Sequence, residues 1–254
     1  MICTRRFFLY LVLLPLFLVR AEIAAAQTDS AGRTVSLRPA PCEPFLVAAG
    51  LIAYGATGLK VAALQRFNET IREVVWIRHP HKPVGIDDYL QGSPIAAVYG
   101  LSIAGIKAQH NIAERTVIVG LTALILRGVV TPVKKWTKEQ RPDGSDLYAF
   151  PSGHTANAFA AAELLRKEYG AVSVWYGVGG YAAAAATGFL RMYNNRHWFT
   201  DVVAGAGVGI AATNLSYLVY PALKSIFVHK HTSSTLLLPV YQTGGAAICL
   251  VHVF

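Results

Sequence analysis

Residues 171–190, AVSVWYGVGGYAAAAATGFL, and residues 202–223, VVAGAGVGIAATNLSYLVYPAL, hold no charged side chain, and the polar stretch 191–201, RMYNNRHWFTD, joins them. Uncharged runs of this length without period-two alternation read as helices rather than strands. Both reach the roughly 20 residues needed to cross a bilayer. Their small residues, densest over Tyr181–Gly188 and Ala204–Ala212, let neighbouring helices approach closely. Outward from this pair, further uncharged runs cover 44–59, 89–106, 116–126 and 147–162. The 89–106 run is borderline for a span and contains Pro94. The 116–126 run is too short to cross unless Arg127 snorkels. The reading is all-α: a six-helix bundle over residues 44–223, embedded in a membrane. The tail, 224–254, differs. Leu236–Val240 and Ala246–Phe254 flank Gly244-Gly245, the pattern of a short hairpin.

Composition narrows the function. Of 254 residues, 54% are hydrophobic and 15% charged, with a mean hydropathy of +0.40. Such a chain has ample apolar surface to bury and is not intrinsically disordered. A net charge of +9 favours an anionic partner. No basic stripe with interleaved aromatics supports nucleic-acid binding. Arg5 and Arg6, the apolar run Phe7–Val19 and Ala24-Ala25-Ala26 follow the order of a secretory signal peptide, so residues 1–26 read as a leader cleaved before the polar linker 27–43. A retained anchor is the alternative. Cys3, Cys42 and Cys249 share no metal-ligand spacing; after cleavage only a Cys42–Cys249 bridge could form.

Three polar clusters sit at the ends of apolar runs: Lys134–Pro142, Phe150–Thr155 and Arg191–Asp201. Pro151 at a helix entrance, followed by Ser152 and Gly153, presents backbone N–H groups without intrahelical partners to an anion. Lys134, Arg141 and Arg191 add positive charge, and guanidinium forks match phosphate oxygens. His197 and Asp201 are four apart, so on a helix they share a face. The carboxylate can hold one imidazole nitrogen and leave the other to attack. His154 can protonate a leaving oxygen. Singly, each is more readily a solvated charge, a satisfied histidine or a helix cap. Together they make a phosphotransfer site that needs no metal or other cofactor.

At these residues the chain resembles the type 2 phosphatidic acid phosphatase superfamily. Lys134, Arg141 and Pro142 match its first motif, Pro151-Ser152-Gly153-His154 its second, and Arg191, His197 and Asp201 its third. Leu190 stands where the family usually has serine. The resemblance implies that His197 is the nucleophile forming a phosphohistidine, that Asp201 orients it, and that His154 is general acid and then base. It implies that Lys134, Arg141, Ser152, Gly153 and Arg191 hold the phosphoryl oxygens. Arg141–Ser145 and Arg191–Trp198 are most similar to envelope lipid phosphatases of the Bacteroidetes lipid A 4′-phosphatase type.

The expected substrate is therefore a membrane lipid phosphate, with no obligate protein partner, at a periplasm-facing site of a bacterial inner membrane. Three full crossings after a cleaved signal would instead bring the first motif out in the cytoplasm, so either 44–64 does not cross fully, or the signal is retained and pairs with another span, or the whole chain is soluble, or the site is cytoplasmic. A soluble periplasmic acid phosphatase, a haloperoxidase and a non-enzymatic membrane protein are the alternatives.

Overall fold

The computed structural model describes residues 43–228, 234–242 and 245–253. The expected leader, linker and Cys42 lie outside them. Eight α-helices follow one another among the described residues: α1 (Glu43–Thr57), α2 (Ala62–Arg72, continued by a wider π-type turn to Ile77), α3 (Ile86–Leu90), α4 (Ser93–Ile103), α5 (Ile112–Thr137), α6 (Gly153–Tyr169), α7 (Val174–Tyr193) and α8 (Phe199–Val228).

Each of the six apolar runs carries a helix, but the count of six is corrected to eight. The additions, α2 and α3, are rich in charged and polar residues; α2 lies between apolar runs and α3 overlaps the 89–106 run only at Tyr89 and Leu90. Boundaries also move. The run at 116–126 belongs to a 26-residue helix. Asn111 and Glu114 form a reciprocal capping box at its start, and Lys138 closes it in the left-handed conformation at φ 49°. Arg127 does not end it, because its side chain lies on the exposed side of a continuing helix. The run at 147–162 is helical only from Gly153, where Ser152 caps α6 through the backbone N–H of Thr155.

Two helices, α5 and α8, are long and apolar enough to cross a membrane. In α5 only 17% of the most apolar 18-residue stretch is buried, against 61% in α8. Thus α5 turns apolar side chains such as Leu124 outward, while α8 is drawn into the bundle. α1 and α2 meet at 89° and qualify only jointly, as a broken span or a re-entrant turn. α7 reaches 20 residues but falls short of the same apolar criterion.

The chain divides into two compact units at Ser216/Tyr217. In the first, Leu126 and Val130 of α5 pack with Ala156 and Ala160 of α6 and Val208 and Ala212 of α8. Close approach of α6 and α8 depends on glycine. A Cβ at Gly209 would lie 2.3 Å from the Ala156 carbonyl oxygen, and one at Gly205 would lie 2.6 Å from that of Ser152. Backbone sits against backbone there, and the turn before α6 is pinned to the first half of α8. The second unit contains the end of α8 and the antiparallel pair β1 (Ser234–Gln242) and β2 (Gly245–Val253), in register from Ser234 opposite Val253 to Gln242 opposite Gly245.

Candidate active site

The three motif clusters fall on α5 and the loop after it, on the entrance to α6, and on the α7–α8 connection. Asn195 adopts φ 55° in that connection, and the backbone N–H of Arg196 returns to the Arg191 carbonyl at 3.0 Å. Asn68 of α2 holds the start of α8: its Nδ2 donates to Thr200 Oγ1 at 2.9 Å, and its Oδ1 accepts from the Thr200 N–H at 3.3 Å. The Ser152 N–H donates to the Asp201 carbonyl at 3.1 Å, tying the second motif to the third.

His197 is buried and stands two residues before α8, so it does not share a helical face with Asp201 as the spacing suggested. The chain instead folds back at Trp198, whose N–H donates to Asp201 Oδ2 at 2.9 Å. This places Oδ2 3.5 Å from His197 Nδ1. That is an electrostatic contact rather than a made hydrogen bond, and both Nδ1 and Asp201 Oδ1 are buried without a hydrogen-bond partner. Burial, followed by the charges of Lys134, Arg191, Arg141 and His154, holds the imidazole of His197 well below its ordinary pKa. The ring is neutral at pH 7, the form in which a nitrogen can attack.

The cations surround this ring in different states. Lys134 Nζ donates to the carbonyl of Tyr148, and to that of Ala149 at 3.4 Å. Arg141 Nε donates to Asp146 Oδ1 at 2.8 Å. Buried Arg191 is ion-paired with Asp87 of α3, while its Nε has no hydrogen-bond partner. Ser152 Oγ accepts from the N–H and the hydroxyl of Thr155, at 3.4 and 2.9 Å, which leaves its own hydrogen to donate. The Ser152 N–H, however, is spent on Asp201. Gly153 has open space: a Cβ there would find nothing nearer than Val130 Cγ1 at 3.8 Å. Protein packing therefore does not demand glycine at this position. His154 Nε2 lies 2.8 Å from Asp88 Oδ1. Its pKa is lowered by burial and by Arg191, and supported by Asp88 and Asp87.

Sequence reasoning missed Asp87, Asp88 and Asn68. The two aspartates are adjacent acids in a chain poor in them, at the edge of an apolar run, but their partners lie 104 and 66 residues away. Asn194 and Asn195 prove to be framework. Asn194 exchanges hydrogen bonds with the backbone of Val84, both at 2.8 Å, and Asn195 Oδ1 accepts from Arg72 Nε at 3.1 Å. Trp198 Nε1 donates to the Gln140 carbonyl at 2.8 Å, beneath the Arg72 guanidinium. Among the described residues no group of three or more His, Cys, Asp or Glu side chains is placed to hold a metal ion.

Residues 115–225 match the PAP2 superfamily, a range containing every motif residue named above. A lipid A 1-phosphatase of Porphyromonas gingivalis is 37% identical over 164 residues, covering 63% of this chain and 37% of its own. The chain thus spans just over a third of the length of that curated relative. Among solved structures, a transmembrane PAP2-type phosphatidylglycerolphosphate phosphatase from Bacillus subtilis aligns over 73% of this chain and 98% of its own, at 20% identity and a TM-score of 0.47. LpxE from Aquifex aeolicus aligns over 63% and 97%, at 20% identity and a TM-score of 0.45. All three motifs thus lie inside the stretch, residues 115–225, that is similar to the PAP2 superfamily.

Proposed function

We propose that this chain is a membrane phosphatase that removes a terminal phosphate from an envelope lipid of the lipid A type, without a metal, through a phosphohistidine at His197. One observation carries the reading: a buried, neutral imidazole faces Lys134, Arg141, Arg191 and His154, with a carboxylate 3.5 Å behind its Nδ1. Nε2 attacks phosphorus, the bond to the leaving oxygen breaks, and His154 gives that oxygen its proton. Asp201 stabilises the charge that develops on the ring. Lys134, Arg141, Arg191, the Ser152 hydroxyl and the Gly153 N–H meet the phosphoryl oxygens. Water then attacks the phosphoenzyme, with His154 accepting its proton, and phosphate leaves. We place the site on the periplasmic face of a bacterial inner membrane. The outward apolar face of α5 supports a lipid-embedded protein over a soluble one.

The test is phosphate release by purified protein from lipid A, undecaprenyl pyrophosphate, phosphatidylglycerol phosphate, phosphatidic acid and p-nitrophenyl phosphate, with and without EDTA. Mass spectrometry of the lipid A product separates loss at the 1 and 4′ positions. Release from lipid A that survives EDTA is expected. Turnover lost in EDTA and restored by Mg²⁺ or Zn²⁺ contradicts the mechanism, and a preference for the soluble aryl phosphate contradicts the substrate.

A further inference from the structure

We infer that Asp88 is a positioning residue for the general acid, forming with His154 a second carboxylate–imidazole pair beside that of Asp201 and His197. The assignment rests on the phosphatase reading above. α3 has only five residues, yet it is fixed at both ends. At its start, Val84 exchanges two hydrogen bonds with Asn194, and buried Asp87 pairs with Arg191 and accepts from Asn194 Nδ2 at 3.3 Å. Just past its end, Gln91 Oε1 accepts from Asn157 Nδ2 at 3.2 Å, one turn along α6 from His154. Between these anchors Asp88 meets His154 Nε2 at 2.8 Å. An ionised Asp88 accepts from Nε2–H, so Nδ1 is the nitrogen left to give a proton to the leaving oxygen, and the imidazolium has its counter-charge.

The groups facing His154 divide by sign. Arg191 on α7 and burial disfavour its charged form, while Asp88 and Asp87 on α3 favour it. His197, in the α7–α8 connection, is neutral. A general acid must hold its proton, so kcat/KM falls as pH rises through the pKa of His154. Loss of the Asp88 charge lowers that pKa and moves the alkaline limb to lower pH.

The experiment measures kcat/KM from pH 5 to 9 for full-length wild type, Asp88→Asn, Asp88→Glu and Gln91→Ala, on lipid A and p-nitrophenyl phosphate. This parameter covers only the steps through formation of the phosphoenzyme, where His154 acts as acid. With lipid A, Asp88→Asn should lose about tenfold at pH 8 and much less at pH 5.5, within the range of general-acid contributions. With the good leaving group it should lose under about twofold. Asp88→Glu should restore most of the alkaline limb. Gln91→Ala removes the neighbouring latch but no charge and should leave the limb in place. An unshifted limb in Asp88→Asn overturns the assignment. An equal shift in Gln91→Ala also overturns it, reducing α3 to a structural latch. Wild type that hydrolyses neither substrate contradicts the phosphatase reading and this assignment with it.

Discussion

Replacing Gly153 by alanine should separate stability from function at one atom. A Cβ built there meets no protein atom closer than Val130 Cγ1 at 3.8 Å, an ordinary van der Waals contact. The backbone lies in the first turn of α6, immediately after its serine cap. Alanine is favoured over glycine in a helix by about 0.5–1 kcal/mol. In a domain of this size that raises the unfolding midpoint by about 1–4 °C. The same methyl group would stand beside the Gly153 N–H to which the proposed mechanism assigns a phosphoryl oxygen. Displacing a bound reactant by about 1 Å can cost on the order of 10²-fold in rate. The variant should therefore unfold no earlier than wild type while its kcat/KM for a lipid phosphate falls on the order of 10²-fold. Thermal unfolding by tryptophan fluorescence and phosphate release, on the same detergent-solubilised preparation, check both halves. Wild-type turnover in Gly153→Ala would remove Gly153 from the phosphate site, and reduced stability would show that the space beside it is not open.

Gly205→Ala should do the opposite. Its Cβ would lie 2.6 Å from the Ser152 carbonyl oxygen, backbone that cannot rotate away, so α6 and α8 must part at a cost of about 1–3 kcal/mol, read as a lower unfolding midpoint. Asp201→Asn should keep the fold but reduce turnover about 10²-fold or more, because an amide stabilises a charged imidazole poorly; steady-state kinetics on protein of matched unfolding midpoint checks it. pH should act on stability through His197. Its folded pKa lies well below the unfolded value of about 6.5, so between the two the unfolded chain binds more protons. Stability contributed by the neutral ring is present above about pH 6.5 and lost as pH falls through that window. Denaturant melts from pH 7 to 5 should show the loss in wild type and less of it in His197→Gln.

The candidate site was legible in the sequence where its parts are local. Lys134 to Arg141, Pro151 to His154 and Arg191 to Asp201 each lie within a dozen residues, and their chemistry follows from residue type and spacing. The long uncharged helices were legible for the same reason. α2 and α3 were not, because their purpose is tertiary. Asn68 is a polar residue on a charged helix until it meets Thr200, and Asp87 and Asp88 are two surface acids until Arg191 and His154 are brought to them. α5 was cut short at Arg127 because a charge in a run signals an end only if the helix turns it inward. The spacing of His197 and Asp201 suggested a helical face, whereas the contact is made across the fold-back at Trp198.

The central claim is that His197 carries the phosphoryl group. Rapid-quench labelling with a 32P-phosphorylated substrate, followed by alkaline work-up and mass spectrometric mapping, tests it directly. Wild type should show a transient acid-labile, base-stable label on His197, and His154→Ala given an activated aryl phosphate should accumulate it, having lost the base for water attack. His197→Ala should take up none. Turnover without a labelled histidine, or a label on any other residue, would contradict the account.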